Sequence, residues 1–124
     1  MTEFEAQNYL DNRAYDQGIS FGELMEMTPS SVSDCPIESA LFWQQRDYSH
    51  KLPVSTHPEL EFDPDNAMPE NPSVNRSEGA TPMTFERELQ AHLDNEVLAM
   101  SIDSTTHHDM PSLELGPFSP FILF

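Results

Sequence analysis

Apolar residues along this chain keep a helical period in four stretches and lose it in the middle. Near the start Ala6, Leu10 and Ala14 recur every four residues, with Phe4 and Tyr9 alongside, which is the spacing of one helix face. Thr2 and Glu5 stand ahead at capping-box separation and Gly18 offers a stop, so a helix is predicted over residues 3–16. Ser20 and Glu23 repeat the capping spacing, and Phe21, Leu24 and Met25 fall on one face before Thr28-Pro29 ends the run,. A helix of two turns is too short to stand alone and needs a surface to lean on.

The third stretch is the predicted core. Ser33 or Asp34 can cap it, Pro36 suits a first helical turn, and Ile37, Ala40, Leu41, Gln44 and Tyr48 mark a stripe widened by Phe42 and Trp43,. Over residues 53–80 the period disappears. Pro53, Pro58, Pro64, Pro69 and Pro72 lie among carboxylates, with Leu60 and Phe62 as a small apolar island, a composition that reads as an extended, solvated linker. Thr81-Pro82 then gives a helix start, and Phe85, Leu89, Leu93, Val97 and Met100 follow at intervals of four, four, four and three,. This predicts an amphipathic helix over about residues 82–100, the cleanest period in the chain. Pro117 and Pro120 keep the last residues out of a helix, so the chain is expected to end extended and apolar,.

The expected organisation is therefore a helical segment over 1–52, a proline-rich acidic linker over 53–80, an amphipathic helix over 81–101 and an extended tail over 102–124. The expected fold class is mainly α with extensive disorder: three or four short amphipathic helices separated by the linker, with no large core. Composition supports that expectation. Five basic residues face 22 acidic ones for a net charge of -17, and Leu, Ile, Val and Phe together are about a fifth of the chain, close to the region where self-repulsion outweighs burial.

Charge also limits the partners. So anionic a chain repels phosphates and anionic lipid surfaces, so no direct nucleic acid binding and no membrane association are expected. A protein partner with a basic-rimmed hydrophobic groove is the natural alternative. The single cysteine, Cys35, can form no internal disulfide and lacks a second thiol for a zinc knuckle,. The N-terminus has no basic stretch followed by an apolar run, and no stretch is apolar for the length of a membrane span,. These features point to a soluble intracellular protein of the cytoplasm or nucleus.

Catalytic motifs do not emerge, so no enzyme and no cofactor are expected. The glycines are scattered at positions 18, 22, 79 and 116, so no phosphate-binding loop forms,. Asp103, His107, His108 and Asp109 gather ligand-type residues, but adjacent imidazoles on a loose stretch lack the frame a metal requires, and no metal site is assigned. Short acidic-apolar stretches carry more information. Residues 20–27, SFGELMEM, resemble acidic-hydrophobic activation segments in composition,. Residues 119–124, SPFILF, resemble the hydrophobic tails with which some phage and bacterial proteins bind sliding clamps, without the acidic residue usual there. Both resemblances imply a docking mode, an apolar motif seated in a groove.

The sequence thus points to a non-enzymatic acidic interaction protein that regulates a larger assembly as a transcription-linked activator or inhibitor. Its expected partner-binding residues are Phe21, Leu24 and Met25, the helix stripe Phe85, Leu89 and Leu93, and the tail Phe121, Leu123 and Phe124. A minor scaffolding component of a larger assembly, viral ones included, is the alternative. A nucleic-acid-mimicking inhibitor comes third, since a mimic requires a stiff acidic scaffold.

Overall fold

The structure, a computed structural model, describes residues 1–106 of the 124. Helix α1 spans Glu3–Asp16 and opens as its sequence dictates: Thr2 Oγ1 accepts from Glu5 N at 3.1 Å, and Glu5 Oε1 accepts from Thr2 N at 2.8 Å. That backbone hydrogen bond from Thr2 leads the causes that hold the Glu5 carboxyl below its usual range,. Gly18 ends the segment at φ 72, and a Cβ there would run into the Phe62 ring, so conformation and space both select glycine. Helix α2, Phe21–Glu26, carries the second capping box, through Ser20 and Glu23. A single turn, α3, follows at Ser30–Ser33.

Helix α4 spans Pro36–Trp43 with Pro36 in its first turn. Its N-cap is Cys35, without a side-chain hydrogen bond, rather than Ser33 or Asp34. The expected stripe through Tyr48 is cut short because Arg13 takes over the chain's exit. Its guanidinium donates to Trp43 O at 2.7 Å and to Arg46 O at 3.2 Å, supplying donors to carbonyls at the helix end,. Tyr48 instead enters strand β1, Asp47–His50, which pairs antiparallel with β2, Ala67–Glu70, in the register Asp47↔Glu70 through His50↔Ala67.

The proline-rich middle is where expectation and structure differ most. Residues 53–80 hold two 3-10 turns, Pro58–Leu60 and Pro64–Asn66, then β2, then helix α5, Pro72–Glu78. Pro58, Pro64 and Pro72 each stand in the first turn of an element, where the missing N–H costs nothing and the fixed φ favours helical geometry. They act as start signals, not spacers. Asn66 locks the segment back onto the strand end: its side chain exchanges two hydrogen bonds with the Leu52 backbone, at 2.9 and 3.1 Å.

Helix α6, Phe85–Thr106, is longer than expected at its C-terminal end and starts later. Thr84, not Thr81, caps it, with Oγ1 accepting from Arg87 N at 3.1 Å, while Met83 N is held by Lys51 O at 2.8 Å. The described residues are thus mainly helical with one small sheet. Leu10, Leu24, Val32, Phe42 and Trp43 are fully buried in one continuous core with Ala6, Ala40 and Ala99. Trp43 Nε1 donates to Thr28 Oγ1 at 2.9 Å, so the core's largest residue has its polar atom satisfied,. The core is small but continuous. It binds α1, α2, α3, α4 and α6 together in place of the loose helices the composition suggested.

Candidate functional site

Helix α6 carries two stripes with nearly the same spacing and opposite fates. Ala91, Asn95, Ala99 and Ile102 recur at four, four and three residues and are buried against the rest of the fold. Phe85, Leu89, Leu93, Val97 and Met100 lie around the other side of the cylinder, between 48% and 76% exposed,. The outward stripe is about 22 Å long at the usual helical rise. Contiguous apolar surface of this kind on a folded protein marks a contact surface.

Four polar tethers fix the inward side of α6. Arg87 grips Glu70 in β2 with two hydrogen bonds, Nε to Oε2 at 2.8 Å and Nη2 to Oε1 at 2.7 Å. Those bonds push the Arg87 pKa above its ordinary value against the opposing effect of burial,. Asn95 Nδ2 donates to Pro69 O at 2.8 Å, Arg46 reaches Asp94 at 3.1 Å, and Lys51 reaches Glu88 at 3.2 Å. The helix is therefore held at a fixed rotation, and its apolar crest must face outward.

Around the sheet the same pattern of internal pairing continues. Ser49 Oγ sits 2.9 Å from both Glu70 Oε1 and Asn75 Oδ1, with one proton to give between them. Arg76 forks onto Asp47 at 3.0 and 2.9 Å, and Asn75 Nδ2 donates to Asp47 at 3.0 Å. Burial pushes the Asp47 carboxyl up, but the Asn75 and Arg76 hydrogen bonds and the Arg76 and Arg13 charges outweigh it and hold it below the usual range,. With Arg13 on backbone carbonyls, all five basic residues are engaged by partners within the protein. Of the five, Arg76 is the most exposed, at 73%, and it is paired with Asp47. Burial, and after it the Glu23 and Asp63 charges, push the Tyr48 phenol up to about 12,.

Troughs flank the crest on both sides. One, of about 560 Å³, lies between α2, β2 and α6 and is edged by His92 and Glu96. The other, of about 600 Å³, lies between α5 and α6 and is edged by Glu86, Gln90 and Asp94. The crest and its two acid-edged troughs form the candidate site.

The sequence-predicted residues divide three ways. Phe85, Leu89 and Leu93 stand together on the crest as expected, continued by Val97 and Met100. Leu24 is fully buried and Met25, partly buried, packs against the core, so α2 turns its apolar face inward and Phe21 is the most exposed of the three, at 37%. Leu24 thus attaches α2 to the fold and is not on the surface. Phe121, Leu123 and Phe124 lie outside the described residues, as do His107, His108 and Asp109. Sequence reading passed over Glu70, Arg87 and Asn95. Arg87 and Asn95 lie eight residues apart in the predicted helix and off its apolar stripe, the one signal that could have exposed a second, packed face.

Among the described residues no group of His, Cys, Asp or Glu has a metal-binding arrangement, and no helix is long and apolar enough to cross a membrane. Comparison with protein families, curated proteins and solved structures finds no match for this chain.

Proposed function

We propose that the protein is a non-enzymatic acidic interaction module that regulates a larger assembly by inserting the α6 crest into an apolar groove with basic rims. The observation that carries this reading is the outward stripe Phe85, Leu89, Leu93, Val97 and Met100 on a helix whose opposite face already anchors it. Charge complementarity defines the groove. Glu86 and Glu96 are exposed beside the crest and every cation of the chain is engaged elsewhere, so basic rims are attracted while a second copy at -17 is repelled,.

A photoreactive residue at Leu93, compared with one at the exposed Tyr15 on α1, tests this directly. The expected product is a complex with a basic protein formed from position 93 only, weakened by salt and lost in a Phe85→Ser, Leu89→Ser variant. Cross-linking to a second copy of the chain, or the same products from both positions, overturns it. A nucleic-acid mimic is the second reading, favoured by the ordered fold with each of its five basic side chains engaged by a partner within the protein. A mimic would compete with nucleic acid and tolerate the crest substitutions, which separates the two.

A further inference from the structure

The last eighteen residues of the chain follow directly from the end of the crest. Helix α6 closes at Thr106, six residues beyond Met100, so the chain leaves it about 9 Å past the last crest side chain. Residues 115–124, LGPFSPFILF, are the longest run without a charged side chain in a protein of net charge -17, and six of these ten are Leu, Ile or Phe. The crest itself sets five apolar side chains in water, each about half exposed or more. Such a surface gains free energy by being covered. An uncovered apolar face and an uncharged apolar segment thus lie next to each other in one chain.

We infer that residues 115–124 turn back along α6 and cover the crest as an exchanging strip that a partner must displace. Its effect on a partner rests on the docking reading above; its contact with the crest does not. Length permits the contact. Residues 107–114 span up to about 26 Å when extended, enough to turn and regain the Met100 end, and residues 115–124 span about 33 Å, more than the crest. Pro117 and Pro120 oppose a helix there,, and an extended strip reaches farther per residue than a helix. Charge selects the same occupant. Glu86 and Glu96 are exposed beside the crest; a second copy would bring the same carboxylates against them, whereas residues 115–124 bring no charged side chain,. Tethering adds an effective concentration of about millimolar order, so a contact too weak between separate molecules is populated within one. A strip bound between half and nine-tenths of the time weakens a competing partner about two- to tenfold. It leaves the position of α6 to the tethers from Arg87 and Asn95.

The full-length protein, alone and dilute, provides the test. A photoreactive residue at position 93 is expected to give an intramolecular cross-link to a peptide within 115–124, in a yield independent of protein concentration. One at Tyr15 should give none. The cross-link should be lost in a Phe121→Ser, Leu123→Ser, Phe124→Ser variant, whose substitutions lie outside the described residues. A fluorescent peptide of residues 113–124, titrated into each protein, should bind that variant about two- to tenfold more tightly than the native chain. It should bind neither protein once Phe85→Ser and Leu89→Ser are added. The inference is overturned by a position-93 experiment without a product in 115–124, by a yield that rises with concentration, or by equal peptide affinity for the native chain and the variant. Capture of a basic protein at position 93 is read separately. Capture without the internal cross-link removes the strip and leaves the docking reading standing, and the internal cross-link without capture does the reverse.

Discussion

Helices α1 and α6 carry apolar residues at the same four-residue interval, yet one stripe is buried and the other exposed. Ala6, Leu10 and Ala14 of α1 lie at 0–2% exposure, packed chiefly against α4. Leu89, Leu93 and Val97 of α6 lie at 48–66%. The difference is made by what stands on the other side of each cylinder. Opposite its stripe, α1 presents solvated residues, with Phe4 and Tyr15 among them at 74% and 83% exposure, so the stripe is the face that attaches it,. Helix α6 has Ala91 and Ala99 for close approach, with Arg87 and Asn95 as tethers. Small side chains allow helix axes to come near, and the large ones are then left outside. Period alone marks a face that prefers to leave water. It does not say whether that face is covered by the same chain.

The sharpest way to break this contrast is to make one substitution on both helices. Leu10→Ala removes a fully buried side chain from the core and should cost about 2–5 kcal/mol in urea unfolding. A loss below about 1 kcal/mol would mean that α1 is not anchored as described. Enlarging the inward face of α6 comes next. Ala99 is fully buried in the core, so Ala99→Leu should destabilise by about 1–3 kcal/mol through overpacking, read from the same unfolding curves. A neutral or stabilising result would show that the inner face has room and that α6 could rotate its crest inward.

Much of the helical part is legible in the sequence, because its signals are local. Thr2 with Glu5 and Ser20 with Glu23 announce two helix starts that involve no distant residue. The stripe of α1 and the burial of Trp43 follow from period and breadth. The middle region was hidden because its order is non-local. Glu70 is buried by Arg87, seventeen positions on, and Asn66 pairs with Leu52, fourteen positions back. Proline, seen alone, cannot be told apart as a spacer or as a first helical residue. The crest residues were legible as a set, whereas their exposure depended on Asn95 and Arg87 finding partners in β2.

Acid provides a smaller test, aimed at the clamp that ties α5 to β1 and so steadies the sheet under α6. Asp47 is bound more weakly to protons in the folded chain than in the unfolded one, because Asn75 and Arg76 prefer its ionised form. Its contribution is complete above the unfolded carboxyl value and is lost as pH falls through the lower folded value. Asp47→Asn should therefore cost about 1 kcal/mol near neutrality, a modest figure since Arg76 is 73% exposed and screened,. The gap between native and variant should close below about pH 4. Reading the difference is essential, because neutralising carboxylates also relieves repulsion in both proteins. A gap that stays constant into acid would mean the clamp does not hold the charge.

The smallest effect on stability carries the most weight for function. Leu93 is 54% exposed, and its neighbours on the stripe are exposed too. Leu93→Ala should then shift the unfolding free energy by no more than about 0.5 kcal/mol, an order of magnitude from the same change at Leu10. Leucine and alanine have similar helix propensities, so the backbone gives little reason for a larger effect. A loss above about 2 kcal/mol would show that the crest is covered within the protein itself and would remove the basis for a partner groove. A negligible loss, together with loss of the position-93 cross-link when Phe85 and Leu89 are made polar, would mean that these large side chains serve binding and not folding. On that outcome the two helices differ in their audience: α1 presents its stripe to the core, and α6 presents its own to another molecule.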